Sequence, residues 1–316
     1  MYLSFENLYT ACQNKSFDTT SGSLTQFKQD LNDSVRTIHG VKRWPFLEVT
    51  KTLLTVASQR AYEIPNSIRK LISLYVTVGT TIYRPRPIFD QTYWEDILAA
   101  ITGEDDAVQF MFVRGSQVEL DPIPATTGSA ITFRGRKRVR DMTAADYTTG
   151  TITSIANGAT AVIASGTTFT AAMVGRYIKF SGATGDGMWY EIGSFTYTTH
   201  IELLKPYEGT SIAAATDTFV IGDMPALPEN YQILPVYRTL ALHFDKLQDI
   251  NMATNYWRKY DGGYEAGLSP EIRGLLGQMI NDFQETVEGN YLEPLTRLEL
   301  RNVNFPPDTI PSSSFT

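Results

Sequence analysis

The sequence predicts an α+β protein. Helices from both ends of the chain form a body with a small mixed sheet; an all-β, sandwich- or barrel-like module is inserted, and an extended C-terminal tail follows. Three observations carry this. Apolar residues recur at helical spacing near both ends, through Phe5, Leu8, Tyr9 and Cys12 and again through Leu234, Tyr237, Leu240 and Phe244. Thr148–Gly222 is rich in Thr, Gly and Ala and breaks into short β-branched or aromatic runs bounded by Gly, Asn or Asp. Pro294, Pro306, Pro307 and Pro311 leave the last stretch without a core of its own. The expected division is therefore 1–143 with 225–287 as the body, 144–224 as the module and 288–316 as the tail. Helices at opposite ends pack together only if the chain doubles back, so the module is expected to project from the body.

Taken in order, Ser4 can cap a first helix. Phe17–Ser23 reads as a polar turn. Ser23 or Thr25 opens a second helix through Leu24, Phe27, Leu31, Val35 and Ile38, ending near Gly40. Pro45 pushes Trp44 into an extended conformation. Leu47–Val56 reads as a strand and Gln59–Pro65 as its hairpin-like return. Ile68–Thr77 and Thr81–Tyr83 are further strands, and Pro85 and Pro87 break the pattern. Phe89–Ile101 suits a short helix with Phe89, Tyr93, Trp94, Ile97 and Leu98 on one face. Arg114-Gly115-Ser116 joins two strands as a hairpin. Asn157-Gly158 is the strongest hairpin signal of the chain. After Pro225 and Pro228, Glu229 and Asn230 open a helix with Pro235 in its first turns. Asn251 is expected to cap the next helix, Gly262-Gly263 to kink or end it, and Ser269-Pro270-Glu271 to start the last.

Composition sets outer bounds. Hydrophobic residues make up 42% of 316, enough to bury a core, and 19% are charged. The net charge of −7 argues against a general nucleic-acid binder. One cysteine, Cys12, excludes an intrachain disulfide framework and a multi-Cys zinc site. The N-terminus lacks the basic start and apolar stretch of a signal peptide, and no run reaches the roughly 18 apolar residues of a membrane span, so a soluble chain is expected.

No catalytic or cofactor spacing is present: no HExxH, P-loop lysine, GxSxG or paired CxxC. His39, His200 and His243 are far apart and read as packed or surface residues. Gly182–Gly187 has a phosphate-loop composition but precedes a strand, so it reads as a connecting loop. Glu104-Asp105-Asp106 reads as a solvated turn rather than a cation site. No cofactor and no metal are expected.

The distinctive charge feature is Arg134, Arg136, Arg138 and Arg140, alternating on one face of the Ala130–Val139 strand. Their mutual repulsion calls for negative company. They suit an edge strand protected from aggregation, pairing with acidic neighbours, or contact with a partner subunit or nucleic-acid phosphate. Among the aromatics, Trp44, Tyr62, Tyr75, Trp189, Tyr190 and Tyr207 are candidate interface anchors, with core filling as the plainer role.

Two sets of segments carry a resemblance. The first is Arg43-Trp44-Pro45-Phe46-Leu47 at a helix end, a Thr/Val strand, Tyr62-Glu63-Ile64-Pro65 and Arg69-Lys70-Leu71-Ile72-Ser73-Leu74-Tyr75, with Leu227-Pro228-Glu229-Asn230-Tyr231 opening the returning helix. This resembles the portal–tail adaptors, or head-to-tail connectors, of tailed bacteriophages. In that family the Trp closes a helix and a Tyr-x-x-Pro step leads into the central sheet. The second is Gly150–Thr153, Asn157-Gly158, Gly166–Phe169, Met173–Ile178 and Trp189–Ile192, which resembles a β module of phage virion proteins inserted in such adaptors.

The resemblance implies a structural virion protein, not an enzyme, assembled in the host cytoplasm. Its subunits form a ring, usually dodecameric, beneath the capsid portal. The ring continues the DNA channel, passes double-stranded DNA without sequence-specific binding, and offers a platform to the tail nozzle and fibres. It implies no membrane partner. By the same analogy Leu292–Thr316, with Leu292, Leu295, Phe305 and Phe315, docks on the portal or an adjacent subunit. The competing reading is a tail-associated binding module recognising a fibre or host glycan, for which Trp189-Tyr190 supplies stacking surface. A hydrolase has the least support, because no nucleophile–base or metal-ligand spacing is found.

Overall fold

The computed structural model describes residues 3–100, 103–182, 185–213, 217–262 and 274–283. The chain is α+β, as the sequence predicts: six helices and fourteen strands among the described residues, the strands in three sheets. The described parts of Met1–Phe46 and Val139–Glu285 form one compact unit, and Leu47–Arg138 belongs to a second. No helix among the described residues is long and apolar enough to cross a membrane.

The first unit opens with α1, Phe5–Ser16, capped by Ser4, whose Oγ accepts the Asn7 N–H at 3.3 Å. Phe17 closes it in the left-handed region, φ 58°. α2, Ser21–Val41, starts earlier than predicted because the polar stretch before it is a cap rather than a free turn. Thr20 Oγ1 accepts the Ser23 N–H, and Asp18 accepts from the Ser23 hydroxyl and from both the N–H and hydroxyl of Thr20. Those bonds hold the Asp18 carboxyl below its usual range. Gly40 lies inside the helix, and Lys42 is its C-cap. Trp44 folds back on the helix, its Nε1–H donating to the Ile38 carbonyl at 2.8 Å, and is 2% exposed.

The second unit contains β1 (Glu48–Leu54), β2 (Ala61–Glu63), β3 (Ile68–Val78), β4 (Thr81–Tyr83), β5 (Arg86–Ile88), α3 (Gln91–Ala100), β6 (Phe110–Arg114), β7 (Gln117–Asp121) and β8 (Ala130–Lys137). They make two four-stranded sheets, β1-β8-β3-β4 and β2-β7-β6-β5. Leu71, Leu74, Val76, Ile131 and Phe133 of the first sheet share a core with Tyr62, Met111, Val118 and Leu120 of the second. α3 is capped by Asp90, which accepts the Tyr93 N–H, and buries Trp94 and Ile97 against Ile88 and Phe112. Phe89 and Tyr93, expected on the buried face, are exposed.

Three expectations are corrected in this unit. The return after β1 is not its hairpin partner: β2 pairs with β7, and β1 pairs with β8. Tyr62 ties the intervening turn, its hydroxyl bonding both the N–H and the carbonyl of Val56, while the chain passes to the other sheet. Pro87 does not end strand structure; it sits in β5, an edge strand paired parallel to β6, where a missing N–H is tolerated. β8 is not an edge strand, since it lies between β1 and β3.

The first unit resumes with β9 (Thr151–Ser154), β10 (Ala161–Ser165), β11 (Tyr177–Phe180), β12 (Trp189–Tyr197), β13 (His200–Leu203) and β14 (Phe219–Gly222). These form one antiparallel sheet in the order β14-β11-β12-β13-β10-β9. It curls on itself. The Ile152 N–H of β9 bonds the carbonyl of Asp217, just ahead of β14, at 2.8 Å, and Ile155 bridges to Ile212. Inside lie Ile152, Val162, Phe169, Ile178, Phe180, Ile192, Ile201, Phe219 and Ile221. Asn157-Gly158 turns β9 into β10 as predicted, with Gly158 at φ 80°. The Asn157 amide also reaches the carbonyls of Glu208 and Gly209. The described part of 182–187 joins β11 to β12, and a strand, not a helix, follows it.

α4 (Leu234–Lys246) carries Pro235 in its first turn, α5 (Ile250–Asp261) follows, and α6 (Leu275–Asp282) is the last described helix. Asp249 caps α5 in place of the expected Asn251, accepting the Met252 N–H at 3.1 Å, and Gly262 ends it at φ 96°. The helical core joins Phe5, Leu8, Phe27, Leu31, Val35, Val236, Leu240, Phe244 and Tyr256. Full burial of each such side chain contributes about 1.5–3 kcal/mol. The start expected at Ser269–Glu271 and the tail 288–316 lie outside the described residues.

Candidate functional site

Two features of the described residues concentrate polar chemistry: a cavity in the second unit and a buried junction in the first. The cavity forms where two segments of chain part. β4 pairs only with Val76–Val78 of β3, which is 11 residues long. Beyond Tyr83 the chain leaves β3 and passes as Arg84-Pro85-Arg86-Pro87 toward the other sheet. Between that stretch and Ile72–Tyr75 lies a cavity of about 670 Å³. Ile72, Tyr75, Pro85, Pro87 and Met111 give it apolar walls, and Arg84, Arg86 and Arg134 line it with permanent positive charge. Arg134 pairs with Glu48 at 2.7 Å. Arg84 and Arg86 are exposed and have no ion-pair partner among the described residues.

The junction ties α1 to the six-stranded sheet through Asp223, which is 3% exposed. Its carboxylate accepts from Arg140 Nη2 at 3.0 Å and from the N–H groups of Thr143 and Ala144, both at 3.0 Å. Arg176 Nε lies 3.1 Å away, and Arg176 Nη2 donates to the carbonyls of Ala145 and Ile221. The Asp223 carbonyl accepts the Phe5 N–H at 2.7 Å, the first turn of α1. Alongside, Asp146 accepts from Ser4 Oγ at 2.8 Å and gives its own N–H to Glu6. Burial pushes the Asp146 carboxyl up, with Ser4 acting against it and Glu6 adding to it.

The expected arginine ladder divides. Arg134 and Arg136 lie on β8, Arg138 follows the end of the strand and uses its N–H on the Ser67 carbonyl, and Arg140 belongs to the other unit on Asp223. Acidic neighbours thus hold Arg134 and Arg140. Trp189 is half-buried, with Lys179 Nζ 5.9 Å from its ring. Tyr190 and Tyr207 are buried in the sheet core, their rings 5.5 Å apart, and the Tyr190 hydroxyl bonds Asp186. Burial, then Asp186, pushes the Tyr190 phenol up to about 12. Leu292, Leu295, Phe305 and Phe315 lie outside the described residues.

His39 and His243 are packed, the first on the Ala226 carbonyl and the second against Phe27 at 4.9 Å, while the His200 ring lies tilted against Tyr197 at 4.0 Å. No group of three or more His, Cys, Asp or Glu suited to a metal ion occurs among the described residues. Asp105 accepts the Ala107 N–H within its own turn, and Asp106 accepts from the N–H and hydroxyl of Thr126, in the segment between β7 and β8. Sequence reasoning missed Arg84 and Arg86. The available signal was the alternation Arg84-Pro85-Arg86-Pro87, a stretch that offers only half the usual N–H groups and so can pair only as the edge of a sheet.

The family model for SU10 adaptor protein matches residues 7–164, which span α1, α2, both four-stranded sheets and the chain into β10. No curated protein matches the chain. The match agrees with the adaptor resemblance carried by Trp44-Pro45, the Tyr62–Pro65 step and Arg69–Tyr75. The chain belongs to the SU10 adaptor protein family, and is a structural adaptor of bacteriophage virions.

Proposed function

We propose that this adaptor is the subunit of a closed, dodecameric ring that joins the capsid portal to the tail nozzle and fibres and continues the DNA channel. The observation that carries the reading is the family match across 7–164. The acidic balance of the chain, −7, is compatible with DNA sliding past it without being gripped. Residues 144–224 serve in this reading as a docking module on the helical body, and 288–316 as the arm that reaches the portal or an adjacent subunit. The alternative, a glycan- or fibre-binding module, loses half of its aromatic platform, since Tyr190 is buried. Electron microscopy of the protein mixed with its portal protein tests the proposal. A ring stacked coaxially on the portal is expected. A trimer with no affinity for the portal would refute it.

A further inference from the structure

We infer that the cavity beside β3 is a docking slot for an extended acidic segment of another protein, which adds to the open edge of β3 as a strand and sets its carboxylates on Arg84 and Arg86. Four observations support this. No strand among the described residues covers Ile72–Tyr75 on the side that β4 abandons. The stretch facing that edge cannot serve it: Pro85 and Pro87 have no N–H, and the Arg86 N–H is used on the Gln109 carbonyl at 2.7 Å. A peptide strand satisfies such an edge with main-chain hydrogen bonds, while its alternate side chains enter flanking pockets. Arg84 and Arg86 supply charge that Arg134 spends on Glu48, and they do so in a chain of net charge −7.

Size and shape agree with a peptide. Four residues of strand span about 13 Å, and a cavity of about 670 Å³ falls within the range of ligand sites, roughly 300–1,000 Å³. Duplex DNA carries its phosphates on a convex surface and does not enter a slot walled by Ile72, Tyr75 and Pro87. The inference stands apart from the ring reading, because it concerns the isolated chain.

Its test is fluorescence anisotropy with a labelled peptide in which Asp alternates with Val and Thr, beside the same peptide with Asn for Asp, and beside oligothymidylate. The acidic peptide is expected to bind, to lose about tenfold or more in affinity with Asn for Asp, and to lose as much in the Arg84→Glu/Arg86→Glu variant. Both arginines are exposed, so circular dichroism of that variant should match the parent. Bound peptide should also slow amide exchange at Ile72–Tyr75. The inference is overturned by equal binding of the Asn peptide, by protection elsewhere than β3, or by no binding at millimolar peptide. Arginine-dependent binding of oligothymidylate would give the slot to nucleic acid. Self-association lost in the variant would give it to a second copy. Either result also overturns the inference.

Discussion

Arg176 Nε lies 3.1 Å from the Asp223 carboxylate, with the two side chains only 7% and 4% exposed. The pair is asymmetric. Asp223 has Arg140 and two backbone N–H groups besides, whereas Arg176 has no other carboxylate in hydrogen-bond reach among the described residues. Asp223→Ala strands a buried guanidinium and should cost about 3–5 kcal/mol. Arg176→Met keeps volume and leaves Asp223 still partnered, so it should cost clearly less. Urea unfolding of the two variants and of their combination checks this. Equal losses for both single variants would contradict the asymmetry.

Asp146 gives a pH dependence with a definite sign. Its carboxyl is raised in the folded chain, chiefly by burial, so the native state holds its proton more tightly than the unfolded state does. Stability from this group is fully present below the ordinary carboxylate range and is lost as pH rises through the raised folded value. At neutral pH the ionised group is an unfavourable burial. Asp146→Asn keeps an oxygen for Ser4 Oγ and should raise the midpoint of thermal unfolding at pH 7, with the gain shrinking toward pH 4. A variant less stable at pH 7 than the parent would show that the charge supports the junction.

His243 titrates in the opposite sense. Burial lowers its pKa against Phe27 and Phe244; Asp18 and Asp30 oppose that shift, and Lys246 adds to it. The unfolded chain takes up the proton first, so stability is full above about 6.5 and falls as pH drops from there toward the folded value. His243→Phe should flatten that part of the pH–stability curve. An unchanged slope in the variant would place its origin in another group.

Much of the helical architecture was legible because local chemistry decides it. Ser4 before Phe5 is a cap in any context, and the stripes through Phe27, Leu31 and Val35 or Leu240 and Phe244 bury the faces that their spacing predicts. The strands were legible as runs but not as partners. Gln59–Pro65 has turn chemistry, yet nothing in it says that β2 belongs with β7, because that choice depends on residues more than 50 positions away. The arginine alternation on β8 was visible, while its central place in the sheet was not, since Glu48 comes from a distant strand. The cavity was invisible for a related reason: it is the gap left where β4 parts from β3, and a gap has no sequence of its own.

Gly135 shows how tightly those distant strands meet. It lies in the middle of β8, opposite Val49 of β1 and Leu71 of β3. A Cβ placed there would fall against Ile68 Cγ2 and only 2.6 Å from the Lys70 carbonyl oxygen, which is backbone and cannot rotate away. The usual benefit of replacing a strand glycine, about 0.5–1 kcal/mol, is therefore outweighed by an overpacking cost of about 1–3 kcal/mol. Gly158, by contrast, has nothing within 4 Å of its would-be Cβ, but a φ of 80°. Gly158→Ala should cost only the backbone strain of about 1–2 kcal/mol. Native-state amide exchange separates the two. Gly135→Ala should weaken protection across β1, β8 and β3 and leave β9 and β10 unchanged, and Gly158→Ala should do the reverse. If Gly135→Ala leaves protection in β3 intact, then the register of β3 on β8 gives way more readily than the irregularities at Ile68/Lys70 and Leu71/Ser73 suggest.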